Sequence, residues 1–283
     1  MPEVTLNVAT CQFAVSSDIR ANSRQIRHYI RKAKGLGANV LHTSECALSG
    51  YVGTDFPSFE GYDWEVLAEE TRGIMAIARE LELWVVLGST HRLTEPNKPH
   101  NSLYLISPEG KIVDRYDKRF CTVADLRRLT PGDHVVYFTI SGVKCSLLIC
   151  FDLRFPEIYR ELYKAGVRCV FQSFYNARQT GPSVHTDIMR QSMQCRAATD
   201  NFWASMANAS GYYAPYPSCF IRPDGKIVRQ LSFNRAGIMV NTVDLNERFY
   251  DPMADFRDMA IAGILDNAQK PISDRRSSQR DIL

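Results

Sequence analysis

Val143-Lys-Cys-Ser-Leu-Leu-Ile-Cys150 runs straight into Phe151-Asp-Leu-Arg-Phe-Pro-Glu157. An apolar segment of strand length ends on a thiol, and a polar segment follows whose proline suits the first turn of a helix. Cys150 is therefore expected at a strand-to-helix elbow, on the carboxyl edge of a sheet. Free N–H groups of the next helix would lower a thiol's pKa there and donate to an oxyanion. The place suits acyl chemistry.

Working outward, two further segments put charges in unusual settings. Leu41-His-Thr-Ser-Glu45-Cys-Ala-Leu-Ser-Gly-Tyr51 carries a carboxylate after an apolar strand, and Val113-Asp-Arg-Tyr-Asp-Lys118-Arg-Phe120 carries a lysine just past a hairpin. The periodicity predicts strands over 4–13, 39–43 and 83–88, with helices through Ile26, Ile30 and Ala33 and over 64–81. Hairpins follow at Pro108-Glu-Gly110, Ser141-Gly142 and Pro223-Asp-Gly225. A helix over 156–165, a strand over 167–173, a helix over 186–199 and a strand over 202–207 complete the series. Strand, helix, strand, helix, then hairpin recurs, so two similar halves are expected, each a mixed sheet with helices on one face. Periodicity alone fits either a three-layer doubly wound sheet or a four-layer sandwich.

Together, Glu45, Lys118 and Cys150 resemble, in chain order, the Glu-Lys-Cys triad of the nitrilase, or carbon–nitrogen hydrolase, superfamily. The resemblance extends from Thr5 to Leu245. Glu45, Leu48, Gly50 and Tyr51 match a Glu followed by Leu and Gly-Tyr; Tyr116-Asp-Lys118 matches Tyr-x-Lys. Ser44 departs from the pattern, where many members carry Pro. The resemblance implies an α/β fold, a four-layer αββα sandwich, with a carbon–nitrogen hydrolase domain over 1–260 and a C-terminal tail over 261–283. It also implies a homodimer or higher homo-oligomer, with the tail reaching across the interface.

Each residue has a plainer reading. A free cysteine is usually core, a carboxylate after a strand usually meets a helix N-terminus, and a lysine after a hairpin is usually solvated. Position and flanking motifs overturn these for Cys150, Glu45 and Lys118, while Cys145 stays core. In the implied chemistry, the Cys150 thiol attacks a carbonyl or nitrile carbon and Glu45 moves the proton. Lys118 and the N–H of Phe151 meet the oxyanion. Water then cleaves the thioester, and no cofactor or metal is required.

The resemblance extends to substrate contacts. Asp125, six residues before Pro131-Gly132, stands where members commonly carry a second Glu, one methylene longer. Tyr51, Phe151, Arg154 and the pair Tyr175-Asn176 are expected around the substrate. With His185, Arg196-Ala197 and Ala207-Asn208, they resemble the N-carbamoyl amino acid hydrolase branch. Arg154 or Arg178 would hold a substrate carboxylate, or Arg154 pairs with Glu157 across the elbow. The reading is a hydrolase of a small amide or N-carbamoyl compound. A nitrilase, or a catalytically weak binding or scaffold member, remains the alternative.

Composition narrows the partners. The chain has 283 residues, 45% of them hydrophobic, enough for one large α/β domain. A formal charge of +3 with interspersed signs gives no footprint for nucleic acid. The opening Met1-Pro-Glu-Val reads as the approach to a strand rather than as a signal peptide, and no run is long enough to span a membrane. The eight cysteines, at 11, 46, 121, 145, 150, 169, 195 and 219, lack zinc spacing, so reduced thiols and a cytoplasmic address are expected.

Overall fold

The computed structural model describes residues 4–267 and 272–281. The chain divides into two compact units, Met1–Tyr250 and Asp251–Leu283.

The first unit contains two six-stranded sheets. One runs β12-β1-β2-β3-β4-β5 and the other β11-β10-β9-β8-β7-β6. In the first, β1 (Thr5–Gln12), β2 (Val40–His42) and β3 (Trp84–His91) are parallel, and β4 (His100–Ile106) and β5 (Ile112–Asp117) continue antiparallel. In the second, β7 (Val143–Ile149), β8 (Cys169–Phe174) and β9 (Trp203–Asn208) are parallel, followed by the antiparallel β10 (Cys219–Ile221) and β11 (Ile227–Gln230). The two halves therefore repeat one topology, as expected. Each carries one extra antiparallel strand on its other side: β6 (Tyr137–Ile140) beside β7, and β12 (Gly237–Asp244) beside β1.

Strand alternation sets the layers. Leu6 and Val8 of β1, Val40 of β2 and Val86 of β3 join Leu147, Phe171 and Phe220 in the core between the sheets. Ala9, Leu41, Val85 and Leu87 point the other way, onto Ile26, Ile30, Ile74 and Ile77 of α1 (Ile19–Gly35) and α2 (Trp64–Glu80). On the far face of the second sheet lie Ile158, Tyr159 and Leu162 of α3 (Pro156–Lys164), with Met189, Met193 and Ala197 of α4 (Val184–Asp200). The result is helix, sheet, sheet, helix: the αββα sandwich. Burying each such aliphatic side chain contributes about 1.5–3 kcal/mol.

The helices start where local chemistry allows. Asp18 caps α1 by accepting from the N–H of Ala21 at 2.9 Å, and Asp63 caps α2 by accepting from Val66 at 2.9 Å. The strand β12 was not anticipated. Its buried face reads Met239, Asn241, Val243, and the amide interrupts the apolar alternation that marks a strand.

The second unit begins at Asp251. Within it, α5 (Arg257–Ile261) is tied by an ion pair from Arg257 to Asp251, and a short α6 (Arg275–Ser278) follows. Part of the expected tail, residues 268–271 and 282–283, lies outside the described residues.

Candidate active site

Glu45 leaves the end of β2 on a loop pressed against Gly88 of β3. A side-chain carbon at Gly88 would meet the carbonyl of Ser44 at 2.0 Å, so only glycine permits the approach. The backbone N–H of Glu45 donates to the carbonyl of Phe174 at the end of β8, crossing from one sheet to the other. Its carboxylate is fully buried and held at both oxygens. Oε1 accepts from Asn101 Nδ2 at 2.7 Å and from Lys118 Nζ at 2.9 Å; Oε2 accepts from the N–H of Tyr175 at 2.8 Å.

Lys118 follows β5 at once and is buried as well. Its N–H donates to Asn101 and its carbonyl accepts from Gly132, so the backbone is fixed on both sides. The ammonium lies 2.9 Å from Glu45 and 3.1 Å from Asp125 Oδ2. Burial works against the charged amine, but electrostatic coupling to Glu45 first, then to Tyr51, Cys150 and Asp125, outweighs it and holds the pKa well above its ordinary value.

Asp125 reaches this ammonium despite its shorter side chain. It sits on a single helical turn, Asp125–Arg127, and accepts from Tyr51 OH at 2.7 Å and from the N–H of Thr122 at 3.0 Å. Burial pushes its carboxyl up, yet Lys118 and these hydrogen bonds prevail and hold it below the usual range.

Cys150 ends β7 with a φ of 39°, a left-handed conformation that costs a non-glycine residue strain and recurs at functional sites. The elbow differs from the sequence expectation in one respect. A turn of 3₁₀ helix, Cys150–Arg154, separates the thiol from α3, so no α-helix N-terminus lies directly beneath it. The expected fall in pKa is reversed: burial raises the thiol and the charge of Glu45 raises it further, against Lys118 and a 3.5 Å contact from Asn176 Nδ2. The resting group is the neutral thiol.

A cavity of about 250 Å³ opens on these residues. Its walls include Tyr51, Lys118, Asp125, Cys150, Phe151, Arg154, Tyr175, Asn176 and His185; of the residues singled out from the sequence, buried Glu45, Arg178, Arg196 and Asn208 do not line it. Tyr51 and Tyr175 pack with ring centroids 4.9 Å apart. The side chain of Arg154 meets His185 Nδ1 at 3.4 Å, and no pairing with the exposed Glu157 is seen among the described residues. Burial and the nearby guanidinium of Arg154 lower the pKa of His185. Arg178 does not line the cavity. Its Nε lies 3.2 Å from Asp55 Oδ1, and its Nη2 donates to the carbonyl of Val15.

Three positions were missed as site residues. Asn101 was not singled out. Asn208 was read only as a branch marker, yet its side chain brackets Asn176, accepting from its N–H at 2.8 Å and donating to its carbonyl at 3.1 Å. Asp152 was read only as part of the polar segment. Among the described residues no cluster of His, Cys, Asp and Glu could hold a metal ion, all eight cysteines are free, and no helix is long and apolar enough to cross a membrane.

Two mixed sheets thus lie between helix layers, with a thiol, a carboxylate and an ammonium gathered at their strand ends. Residues 7–248 match the family model described as Carbon-nitrogen hydrolase, and the chain belongs to that family. It is a carbon–nitrogen hydrolase of the nitrilase superfamily, amidase-like in its relationships. It is 24% identical to Omega-amidase NIT2 of Homo sapiens over 258 residues, which cover 86% of this chain and 90% of the relative. To the (R)-stereoselective amidase of Pseudomonas sp. it is 30% identical over 178 residues, 61% of this chain and 60% of that one. A solved amidase from Nesterenkonia sp. superposes with a TM-score of 0.74 at 22% identity, covering 92% of this chain and 96% of the other.

Proposed function

We propose that this enzyme hydrolyses a small amide through a thioester on Cys150, with Glu45 as general base and acid and Lys118 as oxyanion partner. The observation that carries the reading is the fixed set itself: a thiol in a left-handed elbow on the wall of the cavity, with a buried Lys118–Glu45 pair at 2.9 Å. A thiol whose pKa is raised is a poor standing nucleophile, so it needs a base at the moment of attack. As the sulfur–carbon bond forms, the thiol proton passes to Glu45 and then to the leaving nitrogen, and the carbon–nitrogen bond breaks. Water, deprotonated by Glu45, attacks the thioester carbonyl, and the proton returns to the sulfur. Lys118, with the N–H of Phe151, faces the negative oxygen in both steps.

Covalent addition of the acetamide moiety of fluoroacetamide at the active site cysteine, named for a mutant of the Nesterenkonia amidase, supports a nucleophilic cysteine in this fold. Arg154, on the cavity wall with only a neutral ring nitrogen as its hydrogen-bond partner among the described residues, supports a substrate whose far end is a carboxylate. N-carbamoyl amino acids and monoamides of dicarboxylic acids both satisfy this. The remaining contacts in this reading are Tyr51, Asp125, Tyr175 and Asn176. A cytoplasmic address agrees with eight unpaired thiols. A homodimer, with a hydrolase domain over 1–260 and a tail over 261–283, completes the proposal; light scattering on the purified chain tests the dimer.

Ammonia release from a panel of amides, N-carbamoyl compounds and nitriles, run beside Cys150→Ala, tests the chemistry. Turnover lost in the variant with the fold retained is expected. Turnover that survives would overturn the assignment of the nucleophile.

A further inference from the structure

Asp152 is a fully buried carboxylate two residues beyond Cys150. Its Oδ2 accepts from the N–H of Ile149 at 3.0 Å and from Tyr116 OH at 2.8 Å, and its Oδ1 accepts from the N–H of Phe120 at 3.0 Å. These donors lie on two segments distant in sequence. Ile149 immediately precedes the thiol; Tyr116 and Phe120 stand two residues before and two residues after Lys118. Part of the arrangement is ordinary, because an acid at the third position of a helical turn often accepts from the N–H that opens it. The reach to Tyr116 and Phe120 is not explained by capping.

We propose that Asp152 is a positioning residue that locks the Cys150 elbow to the Lys118 strap, so that nucleophile and oxyanion partner keep one relative placement during catalysis. The inference rests on the assignment of Cys150 and Lys118 above and extends it to a group that touches neither substrate nor reacting atom.

The chemistry of the partners supports this role. Two of the three partners are backbone N–H donors and the Tyr116 hydroxyl donates in the observed pairing, so the ionised carboxylate accepts from all three at once. Keeping that charge in a buried site is unfavourable. Burial raises the carboxyl to about 6, against the pull of Ile149, Tyr116, Phe120 and Lys118. A purely structural staple at this position could be apolar; the lock needs an acceptor at both oxygens. The titratable groups whose charges couple to Asp152 are Tyr116, Lys118, Arg119, Cys121 and Tyr159. All have their pKa values raised, Cys121 to about 12, so none competes with Asp152 near neutrality.

The test compares wild type, Asp152→Asn, Tyr116→Phe and Cys150→Ala as full chains between pH 5 and 8. The readouts are the rate of Cys150 alkylation by iodoacetamide, ammonia release from succinamic acid and the thermal midpoint. Asp152→Asn should lower alkylation and kcat by about 10-fold or more at pH 8, with KM within about threefold. The wild-type to variant ratio should shrink toward one at pH 5, where the carboxyl of Asp152 in wild type is protonated. A structural role alone would give a ratio independent of pH. Tyr116→Phe, which removes a single donor, should lower kcat less and move the wild-type midpoint near pH 6 upward; it decides the matter if Asp152→Asn does not fold. Rates within about twofold of wild type, or a ratio flat across pH, would overturn the proposal. Turnover persisting in Cys150→Ala would instead overturn the thioester reading on which it rests.

Discussion

Lys118 Nζ lies 2.9 Å from Glu45 Oε1 across 73 residues of sequence, with both side chains out of contact with solvent. Two charges are held there at a cost in desolvation that neither would bear alone. The second carboxylate, Asp125, leaves the trio with a net negative charge, which keeps the thiol neutral and ready to lose its proton to Glu45.

Removing the cation should therefore be doubly damaging. Lys118→Ala leaves Glu45 and Asp125 buried without their counter-charge, so a stability loss of about 3–5 kcal/mol accompanies a fall in kcat of about 100-fold or more. Denaturant unfolding and ammonia release measure the two. A variant as stable as wild type would show that the pair is not buried in solution.

Asp125 gives a prediction with a definite sign. Its folded-state pKa is depressed, so its contribution to stability is present above the ordinary carboxylate value and fades as pH falls through the folded one. The gap in thermal midpoint between wild type and Asp125→Asn should be constant from pH 5 to 7 and close below about pH 4. A gap that widens with acid would contradict the ion pair with Lys118.

Gly88 tests the loop that presents Glu45. Adding one methyl in Gly88→Ala forces the Ser44 carbonyl away from a 2.0 Å contact, and the displaced carboxylate should cost about 100-fold in turnover. Kinetics equal to wild type would mean that the loop has room to adjust without moving Glu45.

Arg154 and Arg178 were indistinguishable in the sequence, and their surroundings now separate them. Arg154→Ala should raise KM about 10- to 100-fold for succinamic acid but leave a neutral amide such as butyramide little changed. Arg178→Ala, whose guanidinium is held by Asp55 and Val15, should lower stability without altering that preference. An equal effect of Arg154→Ala on both substrates would remove the carboxylate from the account.

What could be read from the sequence followed from local signals. Period-two alternation and glycine-bearing turns marked β1 to β11, and the resemblance of the flanking motifs to the carbon–nitrogen hydrolases pointed to Glu45 and Lys118. What could not be read depended on contacts between distant segments. Asn101, Asp152 and Asn208 act through partners 32 to 56 residues away, as with Asn101 on Glu45, Asp152 with Tyr116 and Asn208 on Asn176. The thiol's raised pKa was misjudged because the elbow implied a helix N-terminus, while the sum of burial and a facing carboxylate is visible only once the sheets are packed together. β12 escaped because its buried face includes Asn241.

The central claim is that Cys150 carries the acyl group. Wild-type enzyme mixed with a hydrolysed amide, quenched in acid and measured as an intact protein, should gain the mass of the substrate less ammonia, mapped to the peptide containing Cys150 and absent from Cys150→Ala. Steady turnover with no such adduct at any time point, or an adduct on another of the eight cysteines, would contradict the account.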